Sequence, residues 1–309
     1  MGAIYKKELR SYFTGMTGAI FIGFVLLIAG IYVAAFNFTN GYAQFEYSIS
    51  MVSFVYLPAI PVLTMRSLAE EKNTKTDQLL YTLPMSLSKV ILAKYFAIIT
   101  VLAIPLAVLG FIPLIMSMYG SVHFTVAYSA LLITFLLGCA LSAIGMFISS
   151  TTESQVIAAV VSIAVFFAFY IMNGIISMVP DTAIASMLLL MAVAAVAGII
   201  IYVLTKNIPA GLTVGGILVA VNGLFFLFEK FMIEGKLDVI GIKTALWQGS
   251  VYEGLFAKIL AWFDVFGRGN DFFNGIFDLS AVIYYLSIVI LFVFFTIQSM
   301  EKKRWSEVD

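Results

Sequence analysis

Few residues in this 309-residue chain could do chemistry, and their numbers already exclude most reaction centres. The chain holds one histidine, His123, and one cysteine, Cys139. A Cys/His zinc site or a disulfide framework needs more of both. His123 falls in a short hydrophilic break and reads as a loop residue, whereas Cys139 reads as a small apolar residue packed in its helix. Neither Gly235-Lys236-Leu237 nor Gly241-Ile242-Lys243-Thr244 has the G-x-x-x-x-G-K-[ST] order that cradles phosphates. Carboxylates are missing from the apolar stretches, which disfavours an intramembrane aspartyl protease and a carrier driven by protons through its own acids. The polar segment Arg66–Lys94 mixes both signs of charge with leucines.

The elements that must position that segment are apolar. Hydrophobic residues make up 62% of the chain and charged residues only 11%, with a mean hydropathy of +1.06. A soluble domain is about half apolar and a quarter charged. Eight stretches carry no Asp, Glu, Lys or Arg: 17–36, 48–65, 95–117, 125–149, 156–179, 184–204, 209–228 and 280–299. Each is long enough for a helix to cross about 30 Å of hydrocarbon. Helices satisfy their own backbone there, so the expected fold is all-α and polytopic, with about eight transmembrane helices. The net charge of zero excludes a strongly basic nucleic-acid binder.

Eight spans put both termini on one side. If that side is the cytoplasm, 12 of the 17 basic residues lie there, and the three short external loops hold none. Both ends are therefore expected to be cytoplasmic. The long external segment 229–279 alternates aromatic and charged residues, which suits short helices in the headgroup region or a small folded loop. The pairs Ala19-x-x-x-Gly23, Ala194-x-x-x-Gly198 and Gly211-x-x-x-Gly215 permit close helix contact, between subunits or within one. Pro58, Pro61, Pro105 and Pro113 are expected to kink the spans that flank the polar segment.

Within that segment, Thr74-x-x-Asp77 ahead of an apolar run has the form of a helix-starting capping box. Leu79, Leu80 and Leu83 share one face, and Pro84 ends the helix. A helix of about ten residues is marginal in water, so this face needs a partner surface or lies back on the bilayer.

The stretch Leu68-Ala-Glu70-Glu71, followed by Thr76-x-x-Leu79-Leu80-x-Thr-Leu83-Pro84-x-Ser86, resembles the type-2 ABC transporter permease family. Two further motifs agree. Ile4-Tyr-Lys-Lys-Glu8-Leu-Arg10-Ser-Tyr-Phe13 is similar to the family's amphipathic entry helix. Phe263-Asp264-x-x-x-Arg268-Gly269 is similar to an external motif of its eight-span branch, which includes gliding-motility permeases. The pattern departs at Lys75, where relatives carry Gly, and at Gln78, where they carry Glu.

The resemblance implies one permease domain over 1–309, with an entry helix at 1–16, a coupling segment at 66–94 and an external segment at 229–279. It assigns docking on a separate ABC-type ATPase to Glu70, Glu71, Thr76, Asp77, Gln78, Leu79, Leu80, Leu83 and Pro84. ATP and Mg would be used by that ATPase, with no cofactor in this chain. It also implies export across the plasma membrane, contact with lipid and a second permease subunit, identical or not. A carrier not driven by ATP and a structural or regulatory membrane protein are the competing expectations.

Overall fold

A computed structural model describes residues 1–75, 86–205, 208–233 and 252–306. Among these residues every regular element is helical. Among the described residues six helices are long and apolar enough to cross a membrane: Thr17–Thr39, Phe45–Asn73, Leu87–Met116, Phe124–Thr151, Gln155–Met178 and Leu279–Lys302. The other two uncharged stretches are helical as well, with shorter apolar portions at Ala183–Ile199 and Gly215–Leu227. The protein is an all-α, multi-pass membrane protein.

The chain folds as two units, Met1–Tyr170 with Val265–Asp309, and Ile171–Asp264. The first contains α1 (Gly2–Thr14), α2 (Thr17–Tyr32) and its π-helical extension Val33–Thr39, α3 (Phe45–Thr64) and α4 (Arg66–Asn73). It continues with α5 (Leu87–Leu109), α6 (Ile112–Met116), α7 (Phe124–Thr151) and the first part of α8 (Gln155–Met178). The second unit holds the end of α8, then α9 (Ala183–Thr205), α10 (Ile208–Ile233) and α11 (Leu255–Ala261). The chain then returns to the first unit through α12 (Asn270–Phe273) and α13 (Leu279–Ser306).

In the first unit α7 is the hub, and α3, α5 and α13 pack on it. Its sequence explains why. Gly138, Ser142, Gly145 and Ser149 recur at helical spacing and leave one side of α7 almost bare, so neighbours approach closely. A Cβ at Gly138 would stand 2.7 Å from Leu102 Cδ2, and one at Gly145 would stand 2.4 Å from Thr64 Oγ1. The fully buried Ile60, Leu63, Ile98, Leu102 and Leu141 fill the space between. Pro58, Pro61 and Pro105 sit inside continuous helices. Pro113 instead lies at the start of the separate short helix α6, where an imino nitrogen costs no hydrogen bond.

The 29 residues Phe45–Asn73 would reach about 43 Å as a helix, well beyond the hydrocarbon core. The 20 residues of α3 match the core by themselves, so α4, which carries Arg66, Glu70, Glu71 and Lys72, projects past it. α4 ends at Thr74, whose Oγ1 donates back to the Glu70 carbonyl at 2.9 Å. Lys75 then adopts φ 55°, the left-handed region that suits glycine. Replacing Lys75 by Gly should raise stability by about 1 kcal/mol, because the Cβ strain disappears. Thermal unfolding in detergent micelles would read this as a higher midpoint. Residues 76–85, with Thr76, Asp77, Gln78, Leu79, Leu80, Leu83 and Pro84, lie outside the described residues.

In the second unit α9 and α10 pair closely. A Cβ at Gly215 would meet Gly198 Cα at 3.1 Å and the Ala194 carbonyl at 3.6 Å. Of the small-residue pairs, Ala194/Gly198 is thus packed against Gly215 within one chain. At Gly23 a Cβ would meet nothing within 4 Å. Tyr252 donates to the Asn222 carbonyl at 3.0 Å, and the Gly254 amide donates to the Asp181 carbonyl at 3.0 Å. Both contacts tie the segment before α11 to its own unit.

Candidate functional site

Two carboxylates of the first unit, Glu8 and Glu71, converge on one ammonium group. Lys94, 3% exposed, stands on α5 just before its uncharged stretch begins. Its Nζ donates to Glu71 Oε1 of α4 at 2.8 Å, to Glu8 Oε1 of α1 at 3.1 Å and to the Ser67 carbonyl at 3.0 Å. An ammonium has three N–H donors, and all three are used. One lysine therefore fastens three helices.

Each partner reaches Lys94 for a local reason. In α1, Tyr5, Glu8, Leu9 and Tyr12 share the inward face. The Tyr5 hydroxyl pairs with Thr100 Oγ1 at 2.9 Å, and Tyr12 is buried, so α1 lies along α5 and carries Glu8 to Lys94. Burial pushes the Tyr12 hydroxyl above its ordinary value, and the nearby Glu8 charge adds to the effect. In α4, burial raises the Glu71 carboxyl above the usual carboxylate range, against the pull of Lys94.

One turn earlier, Arg66 and Glu70 form a two-pronged pair, Nε to Oε2 at 2.7 Å and Nη2 to Oε1 at 3.0 Å. This hydrogen bonding holds the Glu70 carboxyl low. The guanidinium lies beside Gly15, where a Cβ would approach Arg66 Nη1 to 2.9 Å.

The far side of α4 is fixed by α7. Ser149 Oγ accepts from the amides of Leu68 and Ala69 at 3.2 and 3.0 Å, and donates to the Met65 carbonyl at 3.1 Å. It satisfies first-turn amides of α4 that have no partner within the helix. Lys72 Nζ donates to the Ser150 carbonyl in the last turn of α7, the negative end of that helix. The arrangement holds no nucleophile with a base. Among the described residues no group of three or more His, Cys, Asp or Glu could hold a metal ion. It is a packing junction of α1, α4, α5 and α7.

A family model described as "ABC-2 family transporter protein" matches residues 3–187. The chain belongs to that family. No curated protein and no solved structure matches it. The match runs from α1 into α9, so it contains the whole junction, Glu8, Ser67, Glu71, Lys94 and Ser149 included. This ABC-2 permease is a membrane transport component.

The sequence-assigned residues divide by where they fall. Glu70 and Glu71 belong to the junction and engage Arg66 and Lys94. Arg268 and Gly269 lie in the first unit: the Arg268 guanidinium sits 5.3 Å from the Tyr284 ring centroid, and a Cβ at Gly269 would meet Ile133 Cγ1 at 3.1 Å. The Tyr285 hydroxyl donates to the Val265 carbonyl at 2.8 Å and fastens the same turn to α13. Asp264 closes the second unit, its amide on the Ala261 carbonyl at 3.4 Å. Sequence reasoning missed Glu8, Lys94 and Ser149 as a set. A signal existed: Glu8 is the only acid of α1 among three basic residues, and Lys94 directly abuts an uncharged run.

Proposed function

We propose that this ABC-2 permease is the membrane subunit of an ATP-driven exporter in the plasma membrane, with both termini in the cytoplasm. Two copies, or this chain and a second permease, enclose the substrate path. Separate ABC-type ATPases, which bind ATP and Mg, dock on the segment that follows α4. Thr76, Asp77, Gln78, Leu79, Leu80, Leu83 and Pro84 are its docking residues, with the three leucines as the apolar contact.

The observation that carries this reading is the anchorage of α4. A helix joined through Lys94 to α1 and α5, and through Ser149 to α7, passes a displacement at its C-terminal end to three membrane elements together. Glu71 acts in this scheme as a positioning residue, and the more exposed Glu70 stands beside the docking surface. In this reading the motif of Asp264, Arg268 and Gly269 belongs to the external side.

The test is Leu80→Asp, or Leu79→Asp, in the purified complex. A carboxylate placed in a buried anchor position should weaken ATPase association at least about 30-fold and abolish transport. Unchanged association and transport would remove the docking role from this segment.

A further inference from the structure

The entry helix α1 separates its charges by sign. Its one carboxylate, Glu8, turns inward to Lys94. Lys6, Lys7 and Arg10 lie on the opposite face at helical spacing and are exposed. The outward surface of α1 is thus purely cationic, and among the described residues none of the three forms an ion pair.

The height of α1 narrows the partner. The Tyr5 hydroxyl bonds Thr100, six residues beyond Lys94 on α5, or about 9 Å further along the helix and inside the uncharged stretch. The first turns of α1 therefore lie beside the beginning of a span rather than below it. At its other end only Gly15 and Met16 separate α1 from α2. Phe13 and Met16, 43% and 68% exposed, give that end an apolar rim. Long basic side chains at this depth place their stems on apolar surface and their charges among headgroup phosphates.

We infer that Lys6, Lys7 and Arg10 form a binding site for the phosphate groups of anionic phospholipids, built on the outward face of the entry helix. The inference is independent of the ATPase reading, because it needs only this chain and a bilayer. Glu8 contributes by its withdrawal: held by Lys94, it leaves no negative charge on the lipid-facing surface.

The experiment uses the full chain in mixed micelles with equimolar phosphatidylcholine and phosphatidylglycerol, and quantifies by mass spectrometry the lipid retained through purification. Phosphatidylglycerol should be retained in clear preference. The preference should fall about fivefold for each charge removed, first in Arg10→Gln and to near parity in the combined Lys6→Gln, Lys7→Gln, Arg10→Gln variant. Washing the wild type at high salt should erode it as well. Lys89→Gln, a neutralised exposed lysine on α5, should leave it intact. Equal retention of the two lipids by the wild type would overturn the site. So would a preference that survives in the triple variant, and loss of ATPase co-purification by a triple variant that keeps its lipid preference would assign this face to a protein partner.

Discussion

Replacing Lys94 by Met should destabilise the folded chain by about 3–5 kcal/mol, the usual cost of removing one partner from a buried ion pair. The side chains of Glu8 and Glu71 are only 14% and 18% exposed, and without the ammonium they face each other across a site with little water. Glu71→Gln alone should cost less, because the amide oxygen still accepts from Lys94 and Glu8 remains as its charged partner. The double variant Lys94→Met, Glu71→Gln should recover much of the loss, giving a strongly non-additive cycle. The pH dependence has a definite sign. In Lys94→Met the Glu71 carboxyl, already raised by burial, loses the opposing pull of the ammonium and rises further above its unfolded value. The missing stability then returns as pH falls through that raised value and disappears as pH rises through it. Thermal unfolding in micelles at several pH values reads all of this. Additive single variants, or a loss independent of pH, would show that Lys94 merely fills space.

The second large effect is expected at Gly145. A Cβ there would stand 2.4 Å from Thr64 Oγ1, 3.1 Å from Thr64 Cβ and 3.2 Å from Thr64 Cγ2. Threonine is branched at Cβ, so rotating its side chain only exchanges one clash for another. Thr64 is fully buried, and its hydroxyl donates to the Ile60 carbonyl at 3.0 Å. Gly145→Ala must therefore separate the backbones of α3 and α7, at about 1–3 kcal/mol. Ser149 lies one turn beyond Gly145 on the same side of α7, so the wedge also withdraws the anchor from Leu68 and Ala69. Thr64→Ala in the same chain should restore part of the stability. Hydrogen exchange of the 66–73 amides should rise in Gly145→Ala and fall back in the double variant. A Gly145→Ala chain as stable as wild type, with unchanged exchange, would contradict this packing.

Much of the fold was legible because hydrocarbon imposes a severe composition. All eight uncharged stretches fall on helices, since unpaired backbone or charge is costly there. Two small-residue motifs could be read but not paired from sequence; only the fold shows Gly198 and Gly215 meeting within one chain. The candidate site was half legible. Glu70 and Glu71 stood out as a motif, yet their partners lie on α4 and α5, and Glu8, 63 residues before Glu71, shares the same lysine. Such a junction depends on side chains brought together by packing, and no local period announces it.

Thr74 marks the limit of local pattern reading. Its hydroxyl fits the start of a capping box, and the same hydroxyl bonds the Glu70 carbonyl at the end of α4. Threonine can serve a helix before it or a helix after it, and spacing alone does not choose. The Lys75 position is clearer, because its φ of 55° sets a steric demand that a glycine meets without strain.

The most direct test of the central claim is the composition of the native complex. The protein purified from its own membrane in mild detergent should carry with it a distinct chain that has a phosphate-binding loop. That complex should hydrolyse ATP, and the Leu80→Asp protein should lose the partner while remaining folded. Purification of the permease without any nucleotide-binding chain, with transport in vesicles that follows an ion gradient and ignores ATP, would contradict the account.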